Sequence, residues 1–287
     1  MATVYVSSTG NDSNTYVQAQ SSATPWLTIG KANTSATTGD TIVLLNGTLT
    51  WENITFTKSF TISGQTQGSA IIDGGGGAKK WIFSTGATTM PIKDIVFQNA
   101  IISINNPYFD CQVATLDLQF TRCTFKSINL TSNAGASGIV GQTNGFGQIP
   151  NNISFTNCLF YSITTTGANS RYIKLTSWTG THTASIIGCT FYLDSTTTAH
   201  AITLFDFGGT SSLAITMKNN IIANFSGQTI TQTVAGGTFT STYNDNYLIT
   251  SAIAGTGNIT SDPLFVSAAD NFNLRPNSPC IGSGTLV

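Results

Sequence analysis

The stretch "FTNCLF", residues 155–160, decides the fold because it is repeated. It recurs as "FTRCTF" at residues 120–125 and in looser form as "IIGCTF" at residues 186–191. When the copies are aligned on their Cys and the alignment is continued in both directions, six residues occupy the Cys position: Ala100, Cys123, Cys158, Cys189, Asn220 and Asn246. We call this set of residues the column. An apolar or aromatic residue stands three positions before each member, and an apolar one two positions after it. Six copies at spacings of 23, 35, 31, 31 and 26 residues indicate a structural repeat whose loops vary in length.

A second set of short segments lies between these motifs and has the alternating character of strands: "GIVGQ" (138–142), "YIKLT" (172–176), "AITLF" (201–205) and "TITQT" (229–233). The repeating unit is therefore strand, turn, strand and loop, without a helical pattern. Such a unit is too short for a four-stranded propeller blade, but it fits one coil of a parallel β-helix. Equivalent side chains of successive coils then stack at the ~4.8 Å strand spacing.

The stacking gives the cysteines a packing role. Phe155, Cys158 and Phe160 are predicted to point into the cylinder, because Cys is small and easily buried. Asn220 and Asn246 would continue the column as an Asn ladder. A zinc site is the alternative, but three thiolates in a line with no nearby His do not match its tetrahedral ligand spacing. We therefore predict buried free thiols, no metal site and no cofactor.

Composition excludes other classes of protein. Lys and Arg total 11, Asp and Glu total 12, and charged residues make up 8% of the 287 residues. A net charge of −1 provides no basis for binding a phosphate backbone, so nucleic acid is not an expected partner. No segment approaches the ~18 consecutive apolar residues of a membrane span, and membrane insertion is not expected. The opening "MATVYVSSTG" lacks the charged and apolar regions of a signal peptide.

The ends of the chain carry a family resemblance. The segments "YVSSTGNDSNT", "PWLTIGKAN", "GDTIVLLNGT" and "KSFTISGQ", together with the closing "DPLFVSAADNFNLRPNSPCIGSG", resemble the right-handed parallel β-helix superfamily, also called pectate-lyase-like. The resemblance implies an all-β fold, a single-stranded right-handed parallel β-helix with an N-terminal cap. It implies one domain over residues 1–287, with the cap and first coil in 1–50, further coils in 51–250 and a closing segment in 251–287. A short helix in "PWLTIGKANTSA" would cover the first coil with Trp26, Leu27 and Ile29 facing inward.

The resemblance is specific for fold and weak for activity, because this fold carries lyases, hydrolases, adhesins and phage spikes. Family lyases use acidic calcium ligands with an Arg or Lys base, and family polygalacturonases use clustered Asp, a His-Gly and an Arg-x-Lys. This chain has no Asp-Asp pair and no His-Gly, and "RYIK" (171–174) is Arg-x-x-Lys. Asp194 and Asp206 lie in successive segments, but their column positions do not match. We therefore predict no catalytic residues and favour a non-enzymatic protein.

One surface is a candidate for binding. In the second set of segments, Ile173 and Leu175 align with Ile202 and Leu204, which predicts that all four point inward. Alternation then points Tyr172, Lys174 and Trp178 outward, beside Phe205 and Phe207 of the next coil. Arg171 aligns with His200 at the start of the strand, and these seven residues form the candidate set of aromatic and cationic groups. Such a set suits a sugar-stacking platform or a subunit interface, and a covering loop would also account for it.

Two main functions remain open. The first is a non-enzymatic phage virion protein, such as a fibre, spike or capsid decoration, which forms a homo-oligomer, most simply a trimer, and contacts a cell-surface glycan or other virion proteins. Its location is the virion. The alternative is a secreted, extracellular polysaccharide lyase or glycoside hydrolase. A weaker alternative is an ice-binding protein, suggested by the Thr-x-Thr steps at 48–50 and 55–57, which do not share a column.

Overall fold

The computed structural model of the chain describes residues 1–102, 107–131, 138–141, 151–165, 170–177, 181–193, 202–209, 212–224, 237–249 and 252–285. At residues 165, 170–172, 174–177, 202–209 and 212 it describes the backbone only. The described helices are the α-helix α1 (Ile29–Ser35) and a 3₁₀ turn at Gln18–Gln20.

The described strands, in chain order, are β1 (Thr3–Val6), β2 (Thr41–Leu44), β3 (Gly47–Thr50), β4 (Ile54–Phe56), β5 (Thr61–Gly64), β6 (Ala70–Ala78), β7 (Trp81–Phe83), β8 (Thr89–Lys93), β9 (Ile95–Ile102), β10 (Phe109–Cys111), β11 (Asp117–Thr121), β12 (Thr124–Leu130), β13 (Val140–Gly141), β14 (Asn152–Thr156), β15 (Leu159–Thr165), β16 (Ser170–Ser177), β17 (Thr181–Ile187), β18 (Thr190–Tyr192), β19 (Ile202–Gly209), β20 (Ser212–Lys218), β21 (Ile221–Ala223), β22 (Thr238–Thr242), β23 (Asp245–Tyr247), β24 (Phe265–Ser267) and β25 (Asn271–Leu274).

These strands form three parallel sheets, which the chain visits in turn. Sheet A has the order β1-β2-β5-β8-β11-β14-β17-β20-β22, sheet B has β3-β6-β9-β12-β15-β18-β21-β23, and sheet C has β4-β7-β10-β13-β16-β19. Each coil passes from sheet C to sheet A and then to sheet B, and every pairing within the three sheets is parallel. The predicted parallel β-helix is confirmed.

Aromatic rings stack through the core as the repeat predicts. Phe125 lies 4.6 Å from Phe160 between ring centroids, and Phe160 lies 4.5 Å from Phe191, with both pairs stacked. Phe120 and Phe155 form a second stack at 5.0 Å. All five side chains are fully buried. The inward orientation predicted for Phe155 and Phe160 is therefore confirmed.

A two-residue turn joins sheet A to sheet B, and its second residue forms the predicted column. The first residue of the turn has a left-handed backbone, with φ of 52° at Arg122, 53° at Asn157 and 56° at Asn219. The second residue is buried, as at Cys158 and Asn220. From β11 to β23 this turn keeps the same length in each coil, so the side chains that follow it lie directly above one another.

The ends of this column differ from the prediction. In the strand before the turn, Phe120 pairs with Ile92 rather than Phe97, and the coil before Cys123 therefore places Ile95 in the column instead of Ala100. At the other end, Met217 pairs with Ser241, which places Asn244 in the column instead of Asn246. Asn246 pairs with Ile222 in sheet B. The Asn ladder itself is present, and Asn258 continues it through a hydrogen bond to the Asn244 N–H.

The N-terminal segment contains the expected short helix. Thr28 begins α1 by accepting a hydrogen bond from the Lys31 N–H, and the helix contacts β1 and β4. Trp26 is buried and covers the free edge of β1 through a parallel bridge to Val6. Ile29 is buried as predicted, but Leu27 is 41% exposed, so its predicted inward orientation is wrong. The division into cap, coils and closing segment stays a prediction.

The C-terminal segment folds back as an antiparallel hairpin, β24–β25, against the outside of sheet B. Phe272 contacts Tyr161 and Tyr192 there, with ring centroids 5.0 and 5.3 Å apart. Within the described residues, no helix has the length and hydropathy needed to cross a membrane.

All five cysteines are free thiols. Cys123, Cys158 and Cys189 are at most 2% exposed, which confirms the prediction of buried thiols in one stack. Burial raises the pKa of the Cys123 and Cys158 thiols well above their usual value. Thiols of this kind are inert, and the column is therefore a packing feature.

Candidate functional site

The outer face of sheet C carries a column of charged residues. The ladder pairs Thr55 with Ile82 and Ile82 with Asp110, and Asp110 with Gly141. Val140 pairs with Ile173, which places Gly141 beside Lys174. Lys174 in turn pairs with Asp206. Alternation along each strand assigns this register position to the face opposite the core.

Asp110 lies at the centre of this column. It is completely buried, although its position in the strand faces away from the core. Its Oδ2 accepts hydrogen bonds from Lys80 Nζ at 3.0 Å and from Gln112 Nε2 at 2.9 Å. The Lys80 side chain is 19% exposed. Burying two charges has a large desolvation cost that their attraction barely offsets, so this pair adds little to stability. Removing one partner would be strongly destabilising, because the other charge would be left unpaired.

The fold fixes both partners from the core side. Asp110 stands between Phe109 and Cys111, whose side chains point inward and are fully buried. Lys80 directly precedes Trp81, which packs on Phe109 with ring centroids 5.8 Å apart. The Lys80 backbone N–H also donates to Asn53 Oδ1 at 2.8 Å. The ion pair is therefore held by two adjacent strands whose inward residues pack against each other.

A groove borders the ion pair on its N-terminal side. It has a volume of about 230 Å³ and is lined by Asn53, Thr55, Ala78, Lys80 and Ile82 among others. Its walls belong to the ends of β4 and β7 and thus continue the outer face of sheet C.

The predicted binding residues lie on or near this face. Arg171, Tyr172 and Lys174 belong to β16, and Phe205 and Phe207 belong to β19. By backbone alternation, Tyr172 and Lys174 occupy the outward register, whereas Arg171 has the parity of the buried Ile173. Trp178 and His200 lie outside the described residues.

The predicted alignment of the last two strands of sheet C is wrong by three residues. Ile173 pairs with Phe205 and Leu175 pairs with Phe207, whereas the sequence aligned them with Ile202 and Leu204. An odd displacement exchanges the two faces of a strand. It removes the reason for assigning Phe205 and Phe207 to an outward patch. It also brings Asp206 beside Lys174.

Sequence reasoning missed Asp110 and Lys80. One signal was present in "YFDCQ" (108–112), where a carboxylate interrupts an apolar run of strand character. A charge in such a position is either paired or functional. Its partner could not be inferred, because Lys80 lies 30 residues away and the loop lengths between coils vary.

Among the residues that the structure describes, no group of three or more His, Cys, Asp or Glu side chains is arranged to hold a metal ion. The charged groups of the column alternate in sign instead.

Comparisons with known proteins match the fold. No protein-family model matches the chain, and no curated protein matches its sequence. Among solved structures, the chain is similar to a rhamnogalacturonan lyase, with 13% identity and a TM-score of 0.44 over 86% of this chain and 75% of that one. The PL6 family alginate lyase AlyGC gives 13% identity and a TM-score of 0.41 over 91% of this chain and 39% of that one. Pectate lyase Pel9A has 15% sequence identity and a TM-score of 0.38, over 99% of this chain and 92% of that one. These likenesses concern the β-helix fold.

Proposed function

We propose that the outer face of sheet C binds an acidic polysaccharide and cleaves it by elimination. The observation that supports this is the column of Asp110, Lys174 and Asp206, together with the buried Lys80–Asp110 ion pair. Only 8% of the residues in this chain are charged. Burying one of these charges at a position that faces away from the core does not improve the packing of the core. This proposal takes up the alternative function and departs from the expected non-enzymatic role.

The dimensions of the column suit an extended polymer. A chain lying along the helix axis crosses one strand every ~4.8 Å. Gly141 has no side chain and stands between Asp110 and Lys174, whose backbones are two strand spacings apart, or ~9.6 Å. A sugar ring would lie at the Lys174 end of this column, because Asp110 and Gly141 are buried.

Elimination fits the spacing better than hydrolysis does. Asp110 and Asp206 are separated by three strand spacings, ~14 Å between backbones. Glycoside hydrolases place their two carboxyl groups ~5–5.5 Å or ~6.5–9.5 Å apart. A lyase needs one base instead, and Lys is a known general base. Lys174 would take the proton from the ring carbon that bears the carboxylate. A double bond then forms to the next ring carbon as its bond to the glycosidic oxygen breaks, and that oxygen leaves with a proton from solvent.

Incubation with a panel of uronate-containing and neutral polysaccharides tests this function. We expect ultraviolet-absorbing unsaturated products from at least one uronate polymer. Lys174→Ala should lower the rate by about 10²–10⁴-fold, the usual contribution of a general base. Lys218→Ala is the matched control, because Lys218 lies on sheet A and should leave the rate unchanged. Saccharide binding without products from any polymer would refute cleavage, and new reducing ends without unsaturation would refute elimination.

Ice binding is a second candidate, and one observation on sheet A favours it. Short hydroxyl side chains occupy one outward column over four adjacent strands: Ser154, Ser185, Thr216 and Thr240. The Thr-x-Thr steps at 48–50 and 55–57 lie in sheets B and C and do not belong to it. Ile187 and Lys218 interrupt the neighbouring column. A freezing point equal to the melting point in a protein solution seeded with ice would exclude this function.

The predicted trimer and virion location remain proposals with tests of their own. A trimer would bury lateral faces of the β-helix, and light scattering of the purified chain distinguishes it from a monomer. Mass spectrometry of purified particles tests the virion. A polysaccharide lyase would instead be found as a secreted, extracellular protein.

A further inference from the structure

A pocket of about 400 Å³ lies on the outside of sheet B, away from the column on sheet C. Its floor is formed by β18, β21 and β23, and its outer wall by the segment that leads into the hairpin β24–β25. Its volume lies in the range of small-molecule sites, ~300–1,000 Å³.

Two tyrosines flank a small residue in the floor. The ladder pairs Tyr192 with Ala223 and Ala223 with Tyr247, so the two tyrosine backbones are ~9.6 Å apart with a methyl group between them. Ala223 is fully buried, whereas Tyr192 and Tyr247 remain partly accessible. The space above Ala223, between the two tyrosine positions, is the slot of this pocket.

The hairpin makes the slot rigid. Phe265 and Phe272 pack on each other with centroids 5.1 Å apart, and they contact Tyr192 at 6.1 and 5.3 Å. Arg275 donates from Nη2 to the Val266 carbonyl at 3.3 Å and from its backbone N–H to the Leu264 carbonyl at 3.0 Å. The wall is thus in place without a ligand, which lowers the ordering cost of binding.

Polar groups complete the lining. Asp262 accepts the Leu264 N–H at 2.9 Å, and its carboxylate also interacts with the Tyr247 hydroxyl. Partial desolvation and this carboxylate raise the Tyr247 pKa. Asn224 lies beside them, with its Nδ2 bonded to the Leu193 carbonyl at 2.7 Å. A carboxylate, a guanidinium, an amide and a phenol therefore converge on a slot with aromatic walls.

We propose that this pocket binds a single sugar ring of a carbohydrate, as a binding site separate from sheet C. A pyranose has apolar faces that stack on tyrosine and a rim of hydroxyl groups that donate to Asp262 and accept from Arg275. The mixed charge of the rim matches a ligand that both donates and accepts hydrogen bonds. The site tethers a saccharide and carries out no chemistry.

Saturation-transfer NMR and calorimetry with methyl glycosides of the common hexoses, galacturonic acid and glucuronic acid test this site. At least one glycoside should bind. Tyr247→Ala should weaken it about tenfold, and Tyr247→Phe, which keeps the ring, should weaken it less. Tyr5→Ala, on sheet A, is the matched control and should leave affinity unchanged.

The outcomes separate this site from the proposed activity. Lys174→Ala should lower the cleavage rate by about 10²–10⁴-fold and leave glycoside binding here unchanged. If Tyr247→Ala fails to fold, Asp262→Asn and Arg275→Gln, both at exposed positions, should each still weaken binding. No binding by any glycoside, or binding that survives all three changes, would overturn the proposal.

Discussion

The buried column of turn residues has a cysteine part (Cys123, Cys158 and Cys189) and an asparagine part (Asn220 and Asn244). Both parts occupy the same turn and make the same set of contacts. In the first, the Cys158 N–H donates to Cys189 Sγ at 3.4 Å, and Cys158 Sγ donates to the Phe120 carbonyl at 3.5 Å. In the second, the Asn220 N–H donates to Asn244 Oδ1 at 2.9 Å, and Asn220 Nδ2 donates to the Ile186 carbonyl at 2.8 Å. The Cys thiol thus makes the same hydrogen bonds as the Asn side-chain amide, but the bonds are longer and weaker.

The junction between the two parts supports this equivalence. The Cys189 N–H donates to Asn220 Oδ1 at 2.9 Å, and Cys189 Sγ donates to the Phe155 carbonyl at 3.4 Å. Backbone geometry is unchanged across the junction, with left-handed residues at Gly188 and Asn219. The turn therefore requires a small side chain that satisfies two buried backbone groups, and either residue type meets that need at a different strength.

The largest effect is expected from breaking the asparagine part. Asn220→Ala would leave the Cys189 N–H without its acceptor in a buried turn and would remove the hydrogen bond to the Ile186 carbonyl. Each unsatisfied group costs about 1–3 kcal/mol, so we expect the free energy of unfolding to fall by about 3 kcal/mol. Denaturant unfolding measures it. Asn220→Cys is the matched variant and should lose less, because it restores the arrangement seen at Cys158; an equal loss would contradict the equivalence.

The next largest effect is a pH dependence of the free energy of unfolding, which arises at the C-terminal end of the asparagine part. Asp245 follows Asn244, is 3% exposed and accepts from Cys280 Sγ at 3.1 Å. Burial raises its pKa from 3.8 to about 6. The folded state thus favours the protonated carboxyl of Asp245. The contribution of this carboxyl to the free energy of unfolding is therefore fully present below about pH 4 and is lost as the pH rises past 6. A pKa change of this size corresponds to at most about 3 kcal/mol, and solvent screening reduces that value.

Unfolding experiments between pH 4 and pH 7 test this linkage. The free energy of unfolding should decrease with rising pH in that window. Asp245→Asn carries no titratable group at this position and should flatten the dependence. A slope that persists unchanged in the variant would assign the effect to other groups.

The smallest effect is expected from breaking the cysteine part. Cys158→Ala removes one sulfur atom and the two weak contacts that it donates, to the Phe120 and Thr156 carbonyls at 3.5 Å, from a fully packed site. We expect a loss of about 1 kcal/mol in denaturant unfolding, well below that of Asn220→Ala. A loss as large as that of Asn220→Ala would show that the thiol contributes as much as the amide.

Much of this arrangement could be predicted from the sequence, because the turn between sheets A and B has the same length in every coil from β11 to β23. Arg122–Cys123 and Asn157–Cys158 each fill a two-residue connection, so the motif keeps its spacing. The end of the column was misplaced because Asn244 and Asn246 are both buried and lie two residues apart. Tyr243, the left-handed residue before Asn244, carries none of the Asn or Gly signal seen in other coils.

The candidate site on sheet C could not be predicted in the same way. Nine residues separate Leu130 from Val140 and four separate Thr165 from Ser170, so the entry to sheet C has no fixed spacing. A pattern alignment therefore slipped by three residues between β16 and β19, and Lys80 was not connected with Asp110. Loops of variable length beside a rigid ladder are where function usually resides.

Thiol labelling with position-resolved mass spectrometry tests most directly the claim that the repeated cysteines form one inward stack. Cys123, Cys158 and Cys189 should label slowly in the native protein and quickly after denaturation, whereas the half-buried Cys280 should label first. Rapid native labelling of Cys158, or a disulfide between any two of the three in a nonreducing peptide map, would contradict the stack.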